Sequence, residues 1–540
     1  MDVFQSPAQV LQQLSENLQQ LLHLDLSGTN LPGVLNGSIE QSALPGWPSD
    51  RKLSFLGLLG CPSDASLREH LPAHRIAGEA NEEQLVGALE AYADRRLATR
   101  TILKSLYNLV NDPNPHLTIG ATEYLFELVL ERMHHYLNDT RVQILASASL
   151  FRLIRLIDME IISPMRVRTL VQSLVDTLER YAADQTSTLV RNCLLILVQV
   201  RTYDQIRTYD LLYKRLLKVL LRIAQRSPNA IALDLLRNIL LQQIHLPECK
   251  LLFGKLGGVQ VTLSILEQLL ESNDDYGDTL ADKCWWLLDI ATDEMAHNCK
   301  LFIDRGGLEL FVRCLKKWPG HNELYSTMFI VVGNVSDAKC LRGVLKNDQL
   351  LTIFLEMLDM RDDKEISYVT AYVLSQLLAD GEDLWHYKAG CDDAPLSPVA
   401  LAYSHAAIGE RIIATIDKWD PNVDLDLSYT SLLPCLSLIT SFTSFASQYW
   451  AAWALNNLTF VHPEKYCPMF LREAALDFLD TTIADTRSPD KLRHWLVLTA
   501  DRIREYIKEQ ASGDRSGASS SHVLLVADEL MDPDESDDTD

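Results

Sequence analysis

Residues 298–303 read NCKLFI, and the repetition of this phrase along the chain indicates the fold. Residues 248–253 read ECKLLF, and shorter versions, KCLR and YCPMF, occupy residues 339–342 and 466–470. The cysteines of the four phrases are 50, 41 and 127 residues apart, and the last interval spans about three repeats. A helical repeat of roughly 40–47 residues is typical of an armadillo/HEAT-like α-solenoid. The phrase therefore predicts a mainly α protein built from stacked helical repeats.

Amphipathic helical patterns continue on both sides of these phrases, over residues 80–510. Prolines lie between the apolar blocks or at their edges, where helices begin and end. Gly257-Gly258 and Gly306-Gly307 each follow one apolar stripe and precede the next, which is the usual place of a helix-ending glycine. We therefore expect one armadillo-like helical array over residues 80–510.

Two leucine clusters in the first 65 residues follow a different rule. Each fits the beginning of the leucine-rich-repeat pattern, in which a short strand precedes a turn and the leucines fill one core. We therefore expect partial leucine-rich repeats over residues 1–65; the alternative is two chance clusters of leucine. The residues concerned are Leu21, Leu24, Leu26, Thr29 and Leu31 in the first cluster, and Leu53, Leu56, Leu58 and Cys61 in the second.

The charge balance restricts the class of partner. The 540 residues carry a formal net charge of −24. This charge disfavours nucleic acid and anionic membrane as partners, because both bind clustered lysine and arginine. Eight acidic residues fall within residues 528–540. We expect residues 511–540 to form a disordered acidic tail.

Cysteine usage and motif content point away from secretion and from catalysis. The ten cysteines show no disulfide-framework spacing, and we find neither a signal sequence nor a long uncharged apolar stretch, so we expect a cytoplasmic or nuclear protein. No nucleophile elbow, phosphate-binding loop or metal-ligand motif is present in the sequence. We therefore predict a non-catalytic protein without cofactor or metal.

An acidic residue recurs at the end of successive predicted helices. Asp293, Asp337 and Asp380 are spaced by 44 and 43 residues, which matches the repeat. In stacked repeats, equivalent positions on neighbouring helices lie about 8–10 Å apart. These acids are therefore expected to lie in register along one groove; the alternative is that they are helix caps or solvated helix ends.

Two further sets of residues would share this groove. Trp286, Asp289 and Asp293 are spaced for one face of a helix, and Asn334 and Asp337 for one face of another. Carboxylates, an amide and an aromatic wall suit a cation that has a peptide attached, because the carboxylates pair its charge and the amide bonds the backbone. The α-amino group of a peptide is such a cation.

The same region resembles the Zyg-eleven/Zer-one family over about residues 15–510. The match is most specific within 280–475. It rests on TDE at 292–294, CKLFI at 299–303, GLELF at 307–311, GNV at 333–335, ISY at 366–368, GEDLW at 381–385, QYWAAWAL at 448–455 and PEKYCPM at 463–469.

The resemblance implies a function. Members of the family are substrate receptors of cullin-two RING ubiquitin ligases. They contain an adaptor-binding box, leucine-rich repeats and an armadillo-like array, and the array binds proteins with an exposed N-terminal glycine. It implies that Asp293, Asn334 and Asp337 hold the N-terminal amine and the first peptide group of a substrate. Tyr368, Trp450 and Asn456 would occupy neighbouring groove positions.

This chain departs from the family pattern at two places. The family reads Leu-Trp-Asn-Leu before Thr-Asp-Glu, whereas residues 288–291 read LDIA, so Trp286 would have to replace the aromatic wall and the preference could broaden to small first residues. The elongin adaptor box is expected upstream of Met1, so elongin and cullin-two are expected partners if that segment exists. The alternative function is a non-ligase armadillo scaffold or decoy that binds peptides.

Overall fold

The computed structural model describes residues 6–33, 43–62, 65–113, 117–157, 162–183, 187–200, 206–207, 210–272, 277–360, 363–385, 403–425 and 429–513. The chain divides into two compact units, Met1–Asn334 and Val335–Asp540. The predicted boundaries at residues 65, 80 and 510 stay predictions. The predicted acidic tail lies almost wholly outside the described residues.

The first unit begins with a helix and a small parallel sheet. Helix α1 (Pro7–Asn17) precedes strands β1 (His23–Asp25), β2 (Leu53–Gly57) and β3 (Ala73–Ala77), which pair in the order β1-β2-β3. Leu24 pairs with Leu56 in register. The two predicted leucine clusters therefore form strands, and β3 is an additional strand that the sequence pattern did not predict. Their core comprises Leu11, Leu24, Leu26, Leu44, Trp47, Leu53, Leu56, Leu58 and Leu71.

The rest of the first unit is helical, as predicted. Many helices begin after a residue whose side chain accepts a hydrogen bond from a free backbone N–H group of the first turn, such as Asn81 or Thr118. The helices are α2 (Glu82–Ala91), α3 (Arg96–Val110), α4 (Ile119–His135), α5 (Thr140–Leu156), α6 (Pro164–Tyr181), α7 (Ser187–Gln199), α8 (Asp210–Arg226), α9 (Ala230–Leu241), α10 (Pro247–Lys255), α11 (Gly258–Glu271), α12 (Gly277–Thr292), α13 (Ala296–Asp304), α14 (Gly307–Lys317) and α15 (Asn322–Asp337). The division between the units falls within α15.

The repeated phrase has a packing reason in this unit. It forms the short helices α10 and α13, and each ends at a glycine with a left-handed backbone, Gly257 at φ +85° and Gly306 at φ +78°. The glycine that follows each of these leaves room for the phenylalanine of the phrase, because a Cβ atom on Gly258 would lie 2.3 Å from the Phe253 ring. The Phe302 ring is related to Gly307 in the same way, at 2.4 Å. The repeat thus preserves a turn together with an aromatic contact.

The second unit is also helical. Helix α20 (Phe445–Val461) is buried on nearly every face and packs against five other described helices of the unit. The elements are a 3₁₀ helix (Lys339–Leu345), α16 (Asp348–Leu358), α17 (Lys364–Leu378), a 3₁₀ helix (Glu382–Leu384), α18 (His405–Ile416), α19 (Leu433–Ile439), α20 (Phe445–Val461), α21 (Pro463–Arg472), α22 (Ala475–Ala484) and α23 (Asp490–Gly513).

Within the part of the chain that the structure describes, no single helix is both long enough and apolar enough to cross a bilayer. Only α10 and α11 taken together reach that length and composition, and they are bent by 59° relative to one another.

Candidate functional site

Asp293, the predicted ligand of a peptide amine, binds an amine of the protein itself. The Nζ atom of Lys250, on α10, donates to the Asp293 Oδ2 atom at 2.8 Å and to the Asp293 carbonyl oxygen at 3.0 Å. The Lys250 side chain is 3% exposed, and that of Asp293 is 22% exposed. Since Asp293 directly follows α12, the cation also offsets the partial negative charge at the end of that helix. The Asp293 charge is therefore paired within the fold, while part of its side chain still meets solvent.

Asn334 joins α15 to α12 beside this ion pair. Its Nδ2 atom lies 3.0 Å from the Oδ1 atom of Asp289, 3.2 Å from the Asp289 carbonyl oxygen and 3.1 Å from the Thr292 Oγ1 atom. Within the described residues, the Asp289 Oδ2 and Asn334 Oδ1 atoms have no hydrogen-bond partner, and neither is fully buried. The structure thus brings Asp289, Asp293 and Asn334 together, with two acceptor oxygens available to a donor.

The carboxyl group of Asp289 has an unusual environment. Burial raises its pKa from the ordinary 3.8 to about 7, and the neighbouring charge of Asp293 adds to that rise. The hydrogen bond from Asn334 and the charges of Lys250 and Arg237 act in the opposite direction but do not compensate. Near neutral pH, Asp289 therefore exists as a mixture of the neutral and ionised forms.

Trp286 lies one turn before Asp289 on α12, and the structure leaves its side chain 40% exposed. The guanidinium carbon of Arg237, on α9, lies 4.3 Å from the centre of the Trp286 ring. A cation held over an indole face is stabilised by the negative potential of the ring. One face of the predicted aromatic wall is thus occupied by Arg237.

Asp337 and Asp380 belong to the second unit and have partners there. Asp337 accepts hydrogen bonds from the Tyr372 hydroxyl group and, at 3.0 Å, from the Gln376 Nε2 atom. Asp380 is buried between two cations, with Arg342 and Lys346 each donating at 2.8 Å. All three recurring acids therefore bond to side chains of the protein rather than ending in solvent.

The remaining predicted site residues lie in the interior of the second unit. Trp450 is 0% exposed and packs on Tyr368, with ring centres 5.2 Å apart. The Tyr368 and Tyr429 hydroxyl groups share a hydrogen bond of 2.9 Å. The buried Asn456 Oδ1 atom accepts from Arg502 at 2.8 Å. These contacts are those of a packed core, and a direct contact of Tyr368, Trp450 or Asn456 with a peptide stays a prediction.

Sequence reasoning missed the cations that pair the recurring acids. Lys250 is the third residue of the repeated phrase and precedes Asp293 by 43 residues, about one repeat. Arg342 likewise follows the cysteine of its own phrase and precedes Asp380 by 38 residues. The signal available was this one-repeat interval between a basic residue and the next acid.

No group of three or more histidine, cysteine, aspartate or glutamate side chains suited to a metal ion occurs among residues that the structure describes. The cysteines described are free thiols, and most are buried. Hydrogen bonds and one ion pair hold together the cluster formed by Asp289, Asp293, Asn334 and Lys250, and the acceptor atoms Asp289 Oδ2 and Asn334 Oδ1 suit a cationic donor.

The sequence is similar to the members of one known protein family. Residues 131–505 match the family model described as the C-terminal domain of the protein zer-1 homolog-like family. The Zyg eleven-related protein 1 of Caenorhabditis elegans is 30% identical over 519 residues, covering 93% of this chain and 55% of the relative. The zer-1 homologs of Drosophila melanogaster and Homo sapiens are 30% and 29% identical, and each alignment covers 88% of this chain.

This chain spans between 55% and 64% of the length of those relatives. Among solved structures, an engineered protein aligns with 78% of the chain at 15% identity and a TM-score of 0.43. Because the family model matches well over half of the sequence, and relatives match most of it, the chain belongs to the zer-1 homolog family.

Proposed function

We propose that this protein is a non-catalytic substrate-recognition subunit of a cullin-RING ubiquitin ligase and that it binds N-terminal, glycine-type degrons. Family membership supports the ligase role. The observation that supports peptide N-terminus binding is the cluster of Asp289, Asp293 and Asn334 on and beside two successive long helices of the first unit.

The chemistry of an ammonium group supports this assignment. A protonated α-amino group has three N–H donors and one positive charge. The cluster offers acceptor oxygens on Asp289 and Asn334, together with the partly exposed Asp293 carboxylate. The Asn334 Oδ1 atom can also accept a hydrogen bond from the first peptide N–H group, whereas its Nδ2 atom is already engaged by Asp289 and Thr292.

Selectivity for the first residue follows from the groups beside the cluster. A strict glycine requirement needs a wall that excludes a Cβ atom, and position 289 holds a carboxylate instead of an aromatic ring. Trp286 is one turn away and carries Arg237 on one face. We therefore propose a broadened preference for glycine, serine and alanine over larger first residues.

The finer fold assignment and the partners form part of the proposal. We assign the helices to armadillo-like repeats, because of the one-repeat intervals, and the strand segment to partial leucine-rich repeats. For the whole protein we propose attachment to cullin-two through an elongin adaptor, in the cytoplasm or nucleus. That Asp337, Tyr368, Trp450 and Asn456 take part in peptide binding stays part of this proposal.

A reporter experiment tests the ligase role. Reporters that begin with glycine or leucine are expressed in cells with and without this protein, and the protein is purified with its partners. We expect depletion to stabilise the glycine reporter only, and elongin and cullin-two to co-purify. If neither partner is recovered and the reporter's lifetime is unchanged, the protein is instead a peptide-binding scaffold or decoy.

A further inference from the structure

We propose that Asp289, rather than Asp293, is the carboxylate that pairs the positive charge of a bound peptide amine, and that Lys250 is the residue that makes this so. The inference rests on the proposed function, because it concerns the same cluster and the same class of ligand. It assigns a separate role to each of the two carboxylates on α12.

The charge of Asp293 is already paired by a cation of the fold itself. Lys250 is buried, and its ammonium donates to both the carboxylate and the carbonyl oxygen of Asp293. Its backbone is held too, since the buried Asn298 Nδ2 atom donates to the Lys250 carbonyl oxygen at 2.9 Å. Moving this lysine aside would leave an unpaired charge in the protein interior, which is strongly unfavourable. A ligand's ammonium therefore meets an ion pair at Asp293, not a free negative charge.

Among the described residues, Asp289, unlike Asp293, is not paired with a cation of the fold. Within the described part of the chain it forms no ion pair, and its only side-chain hydrogen bond leaves the Oδ2 atom without a partner. The charged groups that act on it are Asp293 beside it, Lys250 on α10 and Arg237 on α9. Lys250 is engaged by Asp293, and the Arg237 guanidinium lies over the Trp286 ring. Because Lys250 pairs Asp293, the carboxylate left to pair an incoming cation is Asp289 in its ionised form.

The Asn334 side chain fits this division of roles. By donating through Nδ2 to the Asp289 Oδ1 atom, it orients that carboxylate, and its own Oδ1 atom has no partner among the described residues. An ammonium that bonds Asp289 Oδ2 and Asn334 Oδ1 would use two of its three donors, with the third directed to the partly exposed Asp293 or to water. Asn334 is thus a positioning residue for Asp289 and also a ligand-binding group.

The affinity for a peptide with a free amine should then pass through a maximum as pH rises. Because the pKa of Asp289 is about 7, this group is ionised to about a tenth at pH 6 and to about a half at pH 7. The amine of a peptide loses its proton near pH 8. Binding needs the ionised carboxylate and the protonated amine, so affinity rises roughly fivefold from pH 6 to pH 7 and falls again above about pH 7.5.

Calorimetry on the full chain tests this assignment, with a glycine-starting peptide titrated at pH 6, 7, 8 and 9. Asp289→Asn should bind at least about tenfold more weakly than the unaltered protein at pH 7 and should lose the rise between pH 6 and 7. Asp304→Asn is the matched control, since it removes an exposed acid of the same unit and should leave both properties unchanged.

The outcomes separate this inference from the proposed function. If Asp289→Asn binds like the unaltered protein, or if the unaltered protein shows no rise between pH 6 and 7, Asp289 is not the pairing carboxylate although the peptide site stands. If the unaltered protein binds no peptide at any of these pH values, both the inference and the proposed function are lost. The pH profile of the unaltered protein decides the matter even if a variant fails to fold.

Discussion

The Nζ atom of Lys250 lies 2.8 Å from the Oδ2 atom of Asp293, and this ion pair joins helix α10 to the end of helix α12. The two residues are 43 positions apart, so the contact links one repeat of the first unit to the next. It gives Asp293 a structural role in addition to any role in ligand binding, and the two roles have separate experimental signatures.

Removing the Asp293 charge should destabilise the fold. Asp293→Asn leaves the buried Lys250 without a counter-ion, and breaking such a pair on one side costs about 2–4 kcal/mol of unfolding free energy. Urea denaturation of the full chain measures this. The exposed pair of Lys300 with Asp304 is the control, because Asp304→Asn should cost less than about 1 kcal/mol. Equal losses in the two variants would show that the buried pair has no special weight.

The second carboxylate, Asp289, should affect stability in the opposite direction and only at higher pH. Its pKa of about 7 in the folded chain exceeds the unfolded value near 3.8, so the folded state binds more protons between those limits. Stability contributed by this group is therefore lost as pH rises towards 7. Asp289→Asn should be more stable than the unaltered protein by about 1–3 kcal/mol at pH 8, with little difference at pH 4. Denaturant midpoints at both pH values check the sign, and a difference that does not grow with pH would contradict it.

The ion pairs of Asp380 should be important for the second unit. Asp380→Ala leaves Arg342 and Lys346, both largely buried, without their carboxylate, and we expect a loss of about 3–5 kcal/mol. Asp359→Ala is the matched control, because its ion pair with Arg411 is exposed and should be worth less than about 1 kcal/mol. Thermal unfolding of both variants measures the contrast, and similar melting temperatures would argue against it.

The second glycine of the repeated turn should not tolerate a side chain. Gly258→Ala would place a methyl group 2.3 Å from the Phe253 ring, and such overpacking costs about 1–3 kcal/mol. Gly120→Ala, on α4, meets no atom within 4 Å and should be neutral or stabilising by up to about 1 kcal/mol. Denaturation midpoints of the two variants test the difference, and a neutral Gly258→Ala would show that the aromatic ring moves freely.

The helical repeat could be predicted from the sequence because the phrase marks equivalent turns, whereas side-chain pairing could not. Lys250 and Lys300 occupy the same position in their phrases, yet Lys250 is buried against Asp293 of the next repeat and Lys300 bonds Asp304 within its own helix. The same residue type at equivalent positions of the phrase does not reveal which lysine is buried, since burial depends on packing between helices.

The interior position of Trp450 could have been predicted. Residues 445–461 contain no charged residue and no polar face, and a helix that is apolar on every side is buried in a core. The family resemblance predicted that Trp450 lies at a groove position, whereas the composition of residues 445–461 is typical of a central, buried helix. The strand β3 was missed because residues 73–77, AHRIA, lack the leucine pattern that revealed β1 and β2.

The central claim is that the first unit recognises a free peptide N-terminus, and one titration tests it most directly. Matched peptides beginning with glycine, one with a free amine and one with an acetylated amine, are titrated into the full chain at pH 7, with serine-, alanine- and leucine-starting peptides for comparison. Acetylation removes the charge and the donors that the Asp289–Asn334 cluster is proposed to bind. We predict binding at least about tenfold weaker for the acetylated peptide. Equal affinity for the free and acetylated peptides would contradict the account.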